Sequence, residues 1–270
     1  MNNTPQWDMN LRALPGIPRI GVGDDLGQII TDAVTADGHT VQEGDVIVVA
    51  QKIVSKVEDR VVRLNTVTPT PRAERLAELT GRDARLCQLY LDESKAIVEI
   101  IGRHVVTVDT RGMYDTAAGV DLSNSGVYEE GWACLLPIDP DASARTIRDR
   151  IRDLTGTTVA VIISDSLGNR WREGSEGQAI GLAGIAAVEK PRAGAVDLYG
   201  NPSWGDLNRV DELAGAASAL MGQTNEGRPV VLVRGAPYTV DENTSMRDLL
   251  VDVPLPAVDA DLAAVRTPAR

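Results

Sequence analysis

The densest chemistry in this sequence lies in one stretch, Ile163-Ser164-Asp165-Ser166-Leu167-Gly168-Asn169-Arg170-Trp171-Arg172-Glu173-Gly174. A buried apolar strand ends there in a hydroxyl and a carboxylate, then turns through Gly168 into two arginines around a tryptophan. Asp165 and Ser166 offer hard oxygen ligands of the kind Mg2+ or Mn2+ takes in phosphate chemistry. Carboxyl ends of strands are also where parallel and mixed sheets place ligands. An Asx turn followed by a surface ion pair is the other reading. A second cluster, Ala117-Ala118-Gly119-Val120-Asp121-Leu122-Ser123-Asn124, combines small residues that let the backbone approach something closely with oxygens on Asp121, Ser123 and Asn124. A plain Asx or Ser turn fits it as well. The third, Gln51-Lys52-Ile53-Val54-Ser55-Lys56, brings two lysines and a hydroxyl just past a buried strand, suited to phosphate oxygens or to a solvated edge strand with its lysines outward.

Other chemistries are excluded by what is missing. The sequence has no Gly-x-x-x-x-Gly-Lys-Ser/Thr loop, no Gly-x-Gly-x-x-Gly after a strand, no His-Glu-x-x-His and no Gly-x-Ser-x-Gly elbow. With only His39 and His104 available, histidine metal sites and Ser-His-Asp hydrolysis are disfavoured, and both residues read as structural or solvated. Against 39 Asp+Glu stand 27 Lys+Arg, a formal charge of −12 with no basic patch, so no nucleic-acid partner is expected. Cys87 and Cys134 have neither disulfide-framework nor zinc spacing and read as buried thiols. The first residues lack a signal peptide and the longest apolar runs fall far short of a membrane span, so a cytoplasmic protein without membrane contact is expected.

The elements that must position these groups follow from periodicity. Val46–Ala50, Val159–Ile163 and Val230–Val233 read as buried strands, each after turn chemistry. Asp24 or Asp25 caps a helix carrying Leu26, Ile29 and Ile30. Asp141 caps a second, with Ala144, Ile147, Ile151 and Leu154 inward, Arg145, Arg148, Asp149 and Arg152 outward, and Gly156 closing it. Val210 to Met221, Arg72 to Leu79 and Ala84 to Ile101 read as further helices. Arg60–Leu64, His104–Val108 and Ala133–Leu136 read as antiparallel strands without intervening helices. The class is therefore α+β, with mixed, largely antiparallel sheets and packed helices. A single catalytic domain over 14–250 and a loosely held tail over 251–270 are expected. At 270 residues without a single Phe, the core must come from Val, Ile, Leu and Ala.

Taken in order, these segments resemble the coenzyme F420-0:γ-glutamyl ligase family over about residues 14 to 250. The motifs are Gly16-Ile17-Pro18, Gly23-Asp24-Asp25-Leu26, Gly44-Asp45-Val46, Val54-Ser55-Lys56, Ala118-Gly119-Val120-Asp121-x-Ser123-Asn124, Leu135-Leu136-Pro137-x-Asp139-Pro140-Asp141, Ser164-Asp165-Ser166-x-Gly168-x-x-Trp171-Arg172-x-Gly174, Asp197-Leu198-Tyr199-Gly200, Met221-Gly222 and Val233-Arg234-Gly235. The resemblance implies a fold of two intimate lobes, a homodimer without a fused reductase domain, and a GTP-dependent ligase. Such an enzyme joins L-glutamate to the lactyl carboxylate of a deazaflavin precursor through an acyl phosphate. On the family pattern Asp121, Asp165 and Ser166 hold two divalent ions, Mn2+ or Mg2+, with Lys56 and Asp165 catalytic. Ile17, Pro18, Arg19, Ile20, Gln51, Lys52, Lys56, Asn124, Met221, Gly222, Gln223 and Thr224 would contact GTP. Ser175-Glu176-Gly177, Lys190 to Ala195 and Gly205-Asp206 depart from the pattern on the acceptor side. That leaves two other readings: a paralogue using a different small carboxylate, and a non-catalytic GTP-binding regulatory module.

Overall fold

The structure, a computed structural model, describes residues 8–126, 131–168, 172–251 and 265–266. Arg170 and Trp171, the arginine and tryptophan after Gly168, lie outside the described residues, as does most of the tail. The chain divides into two compact units: Met1–Val54, Ile138–Ser166 and Glu176–Leu249 form the first, and Ser55–Pro137, Leu167–Ser175 and Leu250–Arg270 the second.

The first unit is built on a five-stranded sheet. Its strands, in spatial order, are β1 (Asn10–Ala13), β10 (Val230–Arg234), β2 (Val46–Ala50), β8 (Ala160–Gly168) and β9 (Ser175–Ala183). β10 runs antiparallel to both β1 and β2, whereas β2 and β8 are parallel, in register from Val46↔Ala160 to Ala50↔Ser164. The apolar runs of β2, β8 and β10 are continuous rather than alternating because the sheet is covered on both faces. Val46, Val48, Ile162, Leu182, Val231 and Val233 pack with Leu213, Ala214 and Ala217 of α6 (Arg209–Met221). Each such Val, Ile or Leu contributes about 1.5–3 kcal/mol on burial. α1 (Leu26–Ala36) is capped by Asp25, which accepts from the Gln28 amide, and its neighbour α5 (Pro140–Thr155) ends at Gly156 in the left-handed region, as its sequence foretells.

Three expectations in this unit need correction. The N-cap of α5 is Asp139, which accepts from the Ala142 amide, with Pro140 at the first helical position. Asp141 instead accepts from Leu182 N, Ser245 Oγ and Met246 N, tying β9 and the 245–249 turn to the helix. Arg148, read as outward, is buried: its Nε donates to the Val159 carbonyl and its guanidinium grips both Glu242 oxygens. A bidentate carboxylate and a backbone acceptor offset the cost of burying that charge. β8 also runs past Ile163 to Gly168, so Asp165 and Ser166 belong to the strand itself.

In the second unit a sheet ordered β11 (Val265–Arg266), β4 (Ser94–Ile101), β5 (His104–Asp109), β6 (Tyr114–Thr116) accompanies α3 (Pro71–Thr80), α4 (Ala84–Asp92) and a ribbon of β3 (Val61–Arg63) with β7 (Trp132–Cys134). The helix read over Ala84 to Ile101 stops at Asp92. The β-branched run through Ile97, Val98, Ile100 and Ile101 forms β4, antiparallel to β5. Two residues of the expected tail, Val265–Arg266, pair in parallel with Ile100–Ile101. Leu76, Leu86, Cys87, Tyr90, Ile97, Ile100 and Leu135 form its core. Burial raises the Tyr90 phenol to about 12 and pushes the Cys87 thiol up. Cys87 and Cys134 are buried thiols outside any disulfide, as read. Among the described residues no helix is long and apolar enough to cross a membrane.

Candidate active site

One edge of the five-stranded sheet gathers most of the segments singled out by sequence. β1 and β2 end there, β10 begins there and β8 runs on past it, because Ala13 pairs with Val231, Val230 with Val49 and Ala50 with Ser164. The Leu14 amide donates to Val230 O and the Ala50 amide to Pro229 O, extending the ladder to that edge. Three segments leave the sheet there, Gly16–Ile20 after β1, Gln51-Lys52 after β2 and Met221–Pro229 leading into β10, beside Asp165-Ser166 on the continuing β8. Parallel pairing of β2 with β8 sets Gln51 and Asp165 at adjacent positions just beyond paired Ala50 and Ser164.

Asp165 is half-buried and its Oδ1 accepts from the Ser166 amide at 2.8 Å. The exposed Ser166 hydroxyl donates to Gln223 Oε1 at 2.9 Å, so a predicted metal residue meets a predicted nucleotide residue. Gln223 follows Gly222, whose φ of +76° ends α6. A Cβ at that position would lie 2.3 Å from the Glu226 carboxyl carbon. Glu226 in turn accepts from Thr224 N and Oγ1, which shapes the loop. Amides of Glu226 itself and Thr224 hold its carboxyl below the usual range. The family pattern places Glu226 within the Met221–Arg228 stretch of the nucleotide pocket, but no local signal in the sequence tells that its carboxylate packs under Gly222.

Gln51 opens the seven-residue helix α2 (Gln51–Val57), and Ser55 sits one turn further on the same face. Both are buried, and among the described residues the Gln51 amide oxygen and nitrogen and the Ser55 hydroxyl have no hydrogen-bond partner. Buried polar atoms left unmatched cost about 1–3 kcal/mol each and call for an explanation. Lys52 and Lys56 are half-buried, Lys56 in the last turn of α2.

Lys56, Asp121 and Asn124 fall in the second unit. Asp121 exchanges both backbone hydrogen bonds with Cys134, the β7 residue that pairs with Val61 of β3. Its half-buried carboxylate accepts from Ser123 N at 2.7 Å and Ser123 Oγ at 3.1 Å. The small residues before it serve a left-handed backbone as well as close approach. Ala117, Ala118 and Gly119 all have positive φ, at 59°, 54° and 68°, a left-handed turn. Each alanine there costs roughly 1–2 kcal/mol relative to right-handed backbone. Gly119 is required on packing grounds too, since a Cβ would lie 2.3 Å from Leu136 Cδ1. Asn124, at φ +52°, is a residue type that tolerates this region.

Within each unit the candidate ligands are hard oxygens, Asp165 and Ser166 in the first and Asp121 in the second. Among the described residues no group of three or more His, Cys, Asp and Glu side chains could hold a metal ion. Oxygen donors of this kind suit Mg2+ or Mn2+, which bind through one or two carboxylates and complete their shells with phosphate oxygens and water, rather than a closed zinc-type cage.

Residues 16–235 match the sequence profile of the F420-0:gamma-glutamyl ligase family. The chain is 40% identical over 233 residues to the coenzyme F420:L-glutamate ligase of Methanothermobacter thermautotrophicus, covering 85% of this chain and 90% of that one. It is 39% identical over 233 residues to that of Methanopyrus kandleri, covering 84% and 87%. The enzyme of that name from Archaeoglobus fulgidus is 39% identical over 222 residues, 82% of this chain and 85% of that protein. The chain belongs to the F420-0:gamma-glutamyl ligase family.

Proposed function

We propose that this protein is a GTP- and divalent-metal-dependent ligase that joins L-glutamate to the lactyl carboxylate of the deazaflavin precursor of coenzyme F420. Glutamate ligation in F420 biosynthesis is what its relatives are named for. The observation that carries the reading further is the end of the sheet at which Gln51-Lys52 and the Met221–Pro229 loop leave beside Asp165-Ser166 of β8.

A carboxylate does not condense with an amine in water, because oxide is no leaving group. In the proposed reaction a carboxylate oxygen attacks the γ-phosphorus of GTP, the bond to the bridging oxygen breaks, and GDP departs. The amine of glutamate, having lost its proton, then attacks the acyl carbon, the C–O bond breaks, and inorganic phosphate leaves. Such phosphoryl transfer is catalysed mainly by positioning and charge neutralisation. Two divalent ions would supply that neutralisation, held by Asp121, Asp165 and Ser166. Gln223, hydrogen-bonded to Ser166, orients the serine oxygen. Lys56 adds a cation against phosphate in a chain of net charge −12, and Ile17 to Ile20, Gln51, Lys52, Asn124 and Met221 to Thr224 line the nucleotide.

The same reading includes a cytoplasmic homodimer. Two buried thiols outside any disulfide accord with a reducing compartment. Self-association is supported by the hairpin bridged at Glu189↔Leu207 and Val196↔Pro202, which leaves Leu198, Tyr199 and Trp204 100%, 90% and 79% exposed.

Calorimetric titration in Mn2+ tests the nucleotide assignment. GTP is expected to bind more tightly than ATP. Equal affinities would remove the guanine preference while leaving ligation intact.

A further inference from the structure

We propose that Thr107 is a positioning residue for Asp121, acting by clamping the left-handed turn that delivers the carboxylate. The inference rests on the reading above, in which Asp121 holds a divalent ion.

Thr107 lies on β5 opposite Asp115 of β6 and is fully buried. Its hydroxyl works in both directions: it accepts from the Ala118 amide at 2.9 Å and donates to the Asp115 carbonyl at 3.1 Å. Both partners belong to the segment that turns out of β6. Ala118 is the middle residue of three in the left-handed region, a conformation that L-residues hold only when their surroundings fix it. The Val120 amide closes the turn on the Ala117 carbonyl, and Asp121 then locks onto Cys134 through both backbone groups. Thr107 thus fixes the start of a rigid path of four residues whose end is the Asp121 carboxylate. Nothing in the alanines themselves favours that path, and the Thr107 hydroxyl is the side-chain group that bonds its middle residue. A buried valine keeps the shape of Thr107 and removes both hydrogen bonds, leaving the Ala118 amide and one Asp115 lone pair unmet.

Mn2+ binding in the presence of GDP, followed by the electron paramagnetic resonance of free Mn2+, tests the proposal alongside thermal melting. Thr107→Val is expected to weaken Mn2+ binding by roughly 10–100-fold, the usual effect of removing a group that orients a metal ligand. Thr107→Ser, which keeps the hydroxyl, should bind Mn2+ as the wild type does, even where its melting point falls through loss of the methyl group. Asp121→Asn is the reference for loss of the ligand itself. Thr107→Val binding Mn2+ at the wild-type level while Asp121→Asn binds weakly would overturn the positioning role and leave the metal assignment standing. Wild-type binding by Asp121→Asn would overturn both. If Thr107→Val does not fold, Thr107→Val with Ala118→Gly gives the comparison, because glycine takes positive φ without strain. Mn2+ affinity in that double variant below that of Ala118→Gly alone supports the clamp, and affinity equal to it refutes the positioning role.

Discussion

Asp165→Asn is expected to fold as the wild type does, with an apo melting point close to it, and to lose the stabilisation that Mn2+ and GDP give together. The carboxylate sits on β8, whose preceding residues Val161, Ile162 and Ile163 are fully buried and whose pairing with β2 fixes the backbone. Asn preserves size and can still accept from the Ser166 amide, so little of the fold depends on the charge. A hard divalent cation does depend on it. A ligand present at a hundred times its dissociation constant stabilises the native state by about 2.7 kcal/mol, and thermal melting with and without Mn2+ and GDP reads that difference directly. Ligation should fall by several orders of magnitude in the same variant. Normal metal-linked stabilisation together with normal turnover would make Asp165 a strand residue with a local backbone contact and nothing more.

Lys56→Ala is expected to cost roughly 10²–10³ in turnover, the loss seen when a preorganised group that stabilises transition-state charge is deleted. Its ammonium lies at the end of a seven-residue helix, where a cation also favours the helix dipole by about 0.3–1 kcal/mol. The two roles separate in measurement. A helix-end cation lowers the melting point slightly and leaves GTP-dependent turnover untouched, whereas a phosphate-neutralising cation lowers turnover far more than stability. Steady-state GDP release coupled to amide formation distinguishes them, and full turnover in Lys56→Ala would return the residue to its helix-end role.

What the sequence disclosed and what it withheld divide along the range of the forces involved. β2, the caps at Asp25 and Gly156, and the α6 stripe were legible because they depend on neighbours within a turn or a strand. β4 was read as helix because Ile97, Val98, Ile100 and Ile101 also satisfy a helical stripe, and its pairing with β5 decides otherwise. Arg148 was read as outward because its acceptors, Val159 and Glu242, are distant in sequence. The site divides in the same way. Asp121, Asp165 and Lys56 could be named from type and motif, but the adjacency of Gln51 to Asp165 comes from the parallel register of β2 and β8, which no local pattern encodes. The alanines at 117 and 118 were noticed for their size, while their left-handed backbone depends on a hydroxyl from β5.

The central claim is ligation, and product mass tests it most directly. Purified protein incubated with the deazaflavin precursor, L-glutamate, GTP and Mn2+ should convert the precursor to a species heavier by one glutamyl residue. One GDP and one phosphate should appear for each amide formed, with no product when GTP or Mn2+ is omitted. Unchanged precursor mass under these conditions, from protein that binds GTP and Mn2+ normally, would contradict the account and point to a different carboxylate or to a nucleotide-binding role without catalysis.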